Sequence, residues 1–273
     1  MSLPRIGQLG VGRMGGPILA ALEAAGCDVL AYDPVTRPDS REAAVIEHAE
    51  ILVTVLPGAF ELPVVPNTLV LDLTSNDPRR AERAAVRGAS IVGAPMGGGV
   101  AAASSRSLRF FVGGPDAHVD RVRPLLELLG TINHVGQGVG DGYVAKLLAN
   151  LLWFGQVIAV SEALLLGQAL GVAPSGLAAT LSRSAGGSAF IDEHLQALLA
   201  GDYLEHFGID RVVEELEILV SLAADNRIPF ELSTLVTRLH REALDRFGAV
   251  DGELLAARLL EERAGARLRK SID

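Results

Sequence analysis

The sequence predicts an α/β fold: an N-terminal parallel-sheet domain followed by an all-helical domain, with a long helix between them. Three observations carry this reading. Short aliphatic runs alternate with helical segments through the first half of the 273 residues, as a parallel sheet with crossover helices requires. A G-x-G-x-x-G run, Gly10-Val11-Gly12-Arg13-Met14-Gly15, follows the first of those runs and opens the first helical segment. Beyond Gly142 the apolar residues recur with helical period and no convincing strand remains.

Taken in order, strands are expected at 5–9, 28–32, 51–55, 69–73, 90–92, 108–112 and 131–134, all short and rich in aliphatic residues. Helices between them are expected at 14–25, 41–48, 78–87 and 117–129. Asp77 supplies an N-cap for the third, with Pro78 at its first position. A helix at 143–170, roughly 40 Å long at 1.5 Å per residue, is apolar around most of its circumference and should be buried on several sides. Further helices are expected at 174–182, 190–199, 209–226 and 230–247. The boundary falls in a glycine-rich stretch, giving domains 1–137 and 138–273.

Composition narrows the function. A net charge of -9 disfavours nucleic acid and anionic membrane as partners, while leaving room for small anions held by a local cluster of donors. One cysteine, Cys27, allows no internal disulfide and fits a reducing compartment. No charged-then-apolar leader precedes the first strand, so the expected setting is cytoplasmic. The most membrane-like stretch, 143–172, is interrupted by Lys146, Asn150, Gln156, Glu162 and Gln168. Nothing reads as a metal site.

The glycine run has the spacing of a dinucleotide-binding turn in a Rossmann-type domain. Its glycines permit the tight turn, close approach of backbone to pyrophosphate, and close helix–strand packing, while amides at the helix start face the phosphates. Asp33 ends the second strand 18 residues after Gly15, where an acid hydrogen-bonds a ribose 2′-hydroxyl and repels a 2′-phosphate. NAD is therefore favoured over NADP, although Asp33-Pro34 is also ordinary turn chemistry and Arg37 would suit a 2′-phosphate.

The chain has 24 basic residues, of which only Lys146 and Lys270 are lysines. Arginine keeps its proton at any useful pH, whereas a lysine against an apolar wall can release one. Lys146 is thus a candidate general acid/base for a reaction that moves a hydroxyl proton along with a hydride. Asn150 lies one turn further on the same helix and can orient a hydroxyl or carboxylate, or simply be a satisfied polar residue in a helix interface. The run Gly97, Gly98, Gly99 exposes amides that can form an anion nest, and equally fits a flexible loop.

With these residues in place, the chain from about 4 to about 247 resembles the β-hydroxyacid dehydrogenase family, which includes 3-hydroxyisobutyrate dehydrogenases and tartronate semialdehyde reductases. Gly7-Gln8-Leu9-Gly10-Val11-Gly12-Arg13-Met14-Gly15-Gly16-Pro17 looks like its opening signature. Asp72-Leu73-Thr74-Ser75 matches a segment whose hydroxyl lies near the nicotinamide side, and Ala94-Pro95-Met96-Gly97-Gly98-Gly99 sits where the family binds a substrate carboxylate. The resemblance implies Lys146 as catalytic lysine and Asn150 as a substrate ligand. It also implies cofactor contacts from Gly10 to Gly15, Asp33, Leu56, Pro57 and Thr74, a C-terminal domain like that of 6-phosphogluconate dehydrogenase, and a homodimer. An apolar helix too long for one short chain to cover points to the same dimer.

Four departures from the family pattern matter. Gly97 replaces a serine, removing one hydroxyl donor, a loss of about 1.5–3 kcal/mol in binding unless Ser104, Ser105 or Arg106 substitutes. Arg106 itself stands where glycine is usual. Glu214-Glu215 replaces a Lys-Asp pair, so Glu214 either faces the site or lies on a solvated helix face. The segments after Asp33 and after Val55 are short, leaving no room for a crossover helix between Pro57 and Thr68. Trp153, on nearly the same helix face as Lys146, either walls the substrate pocket or packs in the interdomain core.

The leading expectation is an NAD-dependent dehydrogenase or reductase of a small 3-hydroxy acid or its semialdehyde. Two alternatives stand beside it: reduction of an imine or carbonyl without a carboxylate, and an NAD-binding protein without turnover.

Overall fold

A computed structural model describes residues 4–57, 60–204 and 207–269. Its contacts divide the chain into two units, 1–147 and 148–273. In the first, β1 (Ile6–Leu9), β2 (Val29–Tyr32), β3 (Ile51–Thr54), β4 (Leu69–Asp72) and β5 (Ser90–Gly93) pair in parallel in the order β2-β1-β3-β4-β5. The sheet continues through β7 (Leu108–Gly113), antiparallel to β5 and to the two-residue β6 (Met96–Gly97), and ends at β8 (Gly130–Gly136), parallel to β7. The chain leaves β1 first to one side and then to the other. That reversal opens a crevice at the strands' carboxyl ends, where α/β sheets bind ligands.

In the central strands β1, β3 and β4 both faces are buried, so successive residues feed opposite cores. Ile51, Val53, Leu69, Leu71 and Val92 pack with Ile18 and Leu22 of α1 (Gly15–Ala24) and with Val119, Val122 and Leu126 of α5 (Asp116–Glu127). Leu52 turns the other way to Val45 of α2 (Glu42–His48), and Val70 and Ile91 to Ala81 and Ala84 of α3 (Pro78–Val86). Asp77 caps α3 as expected, its Oδ1 accepting from the Arg79 amide at 2.9 Å, with Pro78 at the first position.

The link from β3 to β4 contains no helix among its described residues, as its length foretold. A strap replaces it. Leu62, 2% exposed, plugs into Val70, Ala81, Ala84 and Ile91, with Phe60 beside it. Glu61 accepts from Arg83 at 2.9 Å and from Arg80 at 3.4 Å, tying the strap to α3.

The 29-residue α6 (Asp141–Ala169) begins in the first unit and continues into the second, so the contact division falls within it, beyond the glycine-rich stretch. Its first turn is wedged against the sheet: a side chain on Gly142 would collide with the carbonyls of Phe111 and Gly93. By length and composition α6 would pass for a membrane span, yet Leu147, Phe154, Val157 and Leu164 are buried in protein.

Among its described residues the second unit has helices as its regular elements, with an isolated antiparallel bridge between Gly208 and Asp251. It comprises the rest of α6 with α7 (Pro174–Ser182), α8 (Ala189–Glu193), α9 (Leu195–Ala200), α10 (Ile209–Asp225), α11 (Glu231–Phe247) and α12 (Leu255–Ala264). The single helix expected at 190–199 is interrupted at His194. Trp153 packs edge-on against Phe154, Phe190 and His194, within this unit's own core. Glu261 of α12, fully buried, accepts from the Tyr203 hydroxyl at 2.6 Å and the Leu268 amide at 2.7 Å, holding the segment after α12 in place.

Candidate active site

The phosphate loop runs from the end of β1 into α1. Gly10 has φ +94°, a left-handed conformation that favours glycine, and a side chain there would strike the Val55 carbonyl. Gly15 lies as tightly against the Gly10 carbonyl. Gly12 is the contrast: nothing lies within 4 Å of where its Cβ would be, so its open side faces no protein. Two crowded glycines and one open one suit a loop that a dinucleotide must approach closely. Val11 and Met14 are half-buried and Arg13 is exposed. Beneath the loop lies a residue that sequence reasoning passed over. Gln8 is fully buried and its Nε2 donates to the Gly10 carbonyl at 3.0 Å and the Gly15 carbonyl at 2.8 Å.

Asp33 reaches this loop from β2. Its Oδ2 accepts from the Val11 amide at 2.8 Å and its Oδ1 from the amides of Val35 and Thr36, each at 2.9 Å. These amides, Thr36 first and Val11 next, hold its carboxyl below the usual range, so the anion persists beside the loop. Asp33 thus closes its own turn and places a negative charge just beyond the end of β2.

The ends of β3 and β4 meet through Thr74, whose Oγ1 accepts from the Leu56 amide at 3.1 Å. Pro57, next along, is exposed. Below them lies Asp72, wholly buried, accepting at Oδ1 from Thr54 Oγ1 at 2.7 Å and the Thr74 amide at 3.1 Å, and at Oδ2 from the Tyr143 hydroxyl at 2.7 Å. Burial raises the pKa of Asp72, against the pull of these donors. Burial and the neighbouring carboxyl push Tyr143 far upward, so its hydroxyl keeps its proton and donates.

Lys146 stands one turn after Tyr143 on α6, half-buried, its Nζ 5.9 Å from the centroid of the Phe111 ring. That ring also abuts Gly97, where an added Cβ would sit 3.7 Å from it, an ordinary contact. Gly97 is thus in β6, Gly98 (φ +113°) caps α4 (Gly99–Ser104), and Gly99 (φ +66°) begins it. The run is ordered strand and helix start. The hydroxyls of Ser104 and Ser105 turn back onto the α4 carbonyls of Val100 and Ala101, at 3.0 and 2.9 Å, while Arg106 is exposed at φ +57°.

In the helical unit, Asn150 Nδ2 donates to Glu215 Oε2 at 2.6 Å, and Glu215 is 5% exposed. Glu214 instead pairs with Arg211 on its own helix at 2.7 Å. The acid that meets Asn150 is therefore the second of the pair. Its signal lay in the sequence: Glu215 falls on the buried stripe of Val212, Leu216 and Leu219, where an unpartnered acid is costly.

Residues 45–138 match the NAD-binding domain of 6-phosphogluconate dehydrogenase, and 140–260 match the domain described as NAD-binding of NADP-dependent 3-hydroxyisobutyrate dehydrogenase. A 3-hydroxyisobutyrate dehydrogenase of Pseudomonas aeruginosa is 32% identical over 208 residues, 66% of this chain and 70% of that protein. An NAD-dependent L-serine dehydrogenase of the same organism is 31% identical over 68% of this chain and 72% of its own. A 2-(hydroxymethyl)glutarate dehydrogenase of Eubacterium barkeri is 26% identical over 86% of this chain and 87% of its own. The solved Mycobacterium tuberculosis 3-hydroxyisobutyrate dehydrogenase with L-serine shares the fold at a TM-score of 0.81 and 22% identity, covering 95% of this chain and 99% of that one. The chain belongs to the β-hydroxyacid dehydrogenase family, as an NAD(P)-dependent 3-hydroxyacid dehydrogenase.

Proposed function

We propose that the protein oxidises a small 3-hydroxy acid, or reduces the matching semialdehyde, with Lys146 moving the proton at the substrate oxygen and with NAD favoured over NADP. The observation that carries this is the placement of Lys146 Nζ 5.9 Å from the centre of the Phe111 ring, a ring that itself abuts Gly97, at the start of the helix wedged into the sheet. When bound, the nicotinamide supplies the hydride acceptor. Gly10, Val11, Gly12, Arg13, Met14 and Gly15, with Leu56, Pro57 and Thr74, hold that cofactor, and the Asp33 anion disfavours a 2′-phosphate. Lys146 Nζ takes the hydroxyl proton as the carbonyl forms, and returns it in reduction. Backbone at Gly97, Gly98 and Gly99 and the amide of Asn150 bind the substrate.

Turnover of 3-hydroxyisobutyrate, L-serine and 2-(hydroxymethyl)glutarate with either nucleotide, beside a panel of cyclic imines, tests this reading. Lys146→Ala should lose about 10²–10⁴ in kcat while keeping its affinity for NADH. Turnover of imines alone, favoured by the missing hydroxyl at Gly97, would replace this reading with a reductase of uncharged substrates. An undiminished Lys146→Ala enzyme would remove Lys146 from the chemistry.

The protein is further proposed to act in the cytoplasm as a homodimer. A stripe of exposed apolar residues supports the dimer: Val144, Leu148, Leu152 and Leu166 on α6, and Leu170 just beyond its end, 74% exposed.

A further inference from the structure

The fully buried carboxyl of Asp72 gathers donors from three elements. Thr54 lies at the end of β3, Thr74 just beyond β4, and Tyr143 in the first turn of α6. Thr74 in turn receives the Leu56 amide, so the turn that follows β3 hangs from the same hub. The third donor differs from the others in its origin, 71 residues away, on the helix that carries Lys146 three residues later. Residues three apart are neighbours on a helix surface, so a rotation or slide that breaks the Tyr143 bond also moves Lys146.

The packing leaves Tyr143 one place to be. Its ring fills the space at Gly93, where any Cβ would run into it, and Val70, Ala81 and Ile91 surround it. Phenylalanine would pack in the same space. The hydroxyl adds a short bond to a carboxyl that already fixes Thr74.

We propose that Tyr143 and Asp72 are positioning residues for the reaction: their buried hydrogen bond sets Lys146 in register with the cofactor-side turn of Leu56 and Thr74. This rests on the reading of Lys146 as the proton carrier. Neither residue touches substrate or cofactor; they act through Lys146 and Thr74. Small misplacements of a catalytic group slow the chemical step steeply, by up to about 10²-fold for 1 Å.

The test is kinetic, using full-length enzyme and whichever of 3-hydroxyisobutyrate and L-serine the wild type turns over faster, with deuterium at the carbon that gives up hydride. Tyr143→Phe is expected to lower kcat by about tenfold or more. NADH affinity and KM should stay within about twofold, and the deuterium isotope effect on kcat should rise as hydride transfer becomes limiting. Circular dichroism at the assay temperature establishes that the variant is folded. A folded Tyr143→Phe enzyme with wild-type kcat and isotope effect, whatever its melting temperature, overturns the proposal. Thr54→Val removes another donor to the same carboxyl at nearly constant volume, and should shift kcat and isotope effect the same way. It stands in should Tyr143→Phe fail to fold, and an unchanged kcat there is equally fatal. Lys146→Ala run alongside separates the two readings. Full activity in that variant defeats the role of Lys146 itself, whereas a dead Lys146→Ala beside an unaffected Tyr143→Phe defeats only the positioning.

Discussion

His240 lies fully buried on α11, its Nδ1 at 2.9 Å from the Val236 carbonyl and its ring 5.5 Å from that of Phe154. A carbonyl can only accept, so Nδ1 carries the proton of a neutral imidazole. Burial lowers its pKa from 6.5 to about 4. The unfolded chain then binds more protons than the folded one between about pH 6.5 and 4. The contribution of His240 to stability is complete above that pH and lost as pH falls toward 4, by about 3 kcal/mol in all. Urea unfolding of wild type and His240→Leu from pH 7 to 4 should show a smaller acid loss in the variant. Parallel pH profiles would dismiss His240 as the cause.

At this scale the sequence revealed residues whose chemistry is local. The glycines from Gly10 to Gly15, Asp33 and Lys146 announced themselves by spacing or scarcity. Asp72 and Tyr143 did not, and Glu215 showed only its place on a buried stripe, because each acquires its role from a partner brought near by folding: Asp72 with Tyr143, Asn150 with Glu215. No window of sequence contains both members of either pair.

The strap between β3 and β4 is the element most particular to this chain. With no helix to cover the sheet there, Leu62 supplies the apolar plug and Glu61 the tether. Leu62→Ala should destabilise the fold by about 2–5 kcal/mol, since the removed atoms leave a cavity flanked by strand and helix. Val64→Ala, two residues on and 41% exposed, should change stability by no more than about 0.5 kcal/mol. Equal effects in denaturant titrations would show that the strap is not anchored at Leu62. Length alone foretold the missing helix. Length could not foretell β6, which is two residues held by β7, or α4, a single short helix of glycine, valine, alanine and serine that carries no apolar period. The last helix, α12, was not given bounds: four of its ten residues are charged, and the buried Glu261 breaks its apolar face.

For the whole molecule, the succession of a parallel sheet and a helical unit was legible because strand and helix periods change sharply after Gly142. The contact boundary was less so, since Tyr143 and Leu147 belong by packing to the sheet while lying on the helix. Exposed apolar residues on α6 carry the prediction at this scale. Light scattering at micromolar concentration should give the mass of two chains, near 57 kDa from the 28.6 kDa of one. Leu152→Glu with Leu166→Glu should halve it by placing charge in the covered stripe. A monomeric wild type would end the dimer proposal.

The room that Gly93 leaves for Tyr143 also constrains how this enzyme can change by descent. A lineage that gains any side chain at 93 must shrink 143 and also shift the Val139 carbonyl, which would lie 2.8 Å from the new Cβ, and one that shrinks 143 first inherits a hole beside a buried carboxyl. Either route passes through a weakened ancestor, so the two positions should drift together among relatives, or not at all.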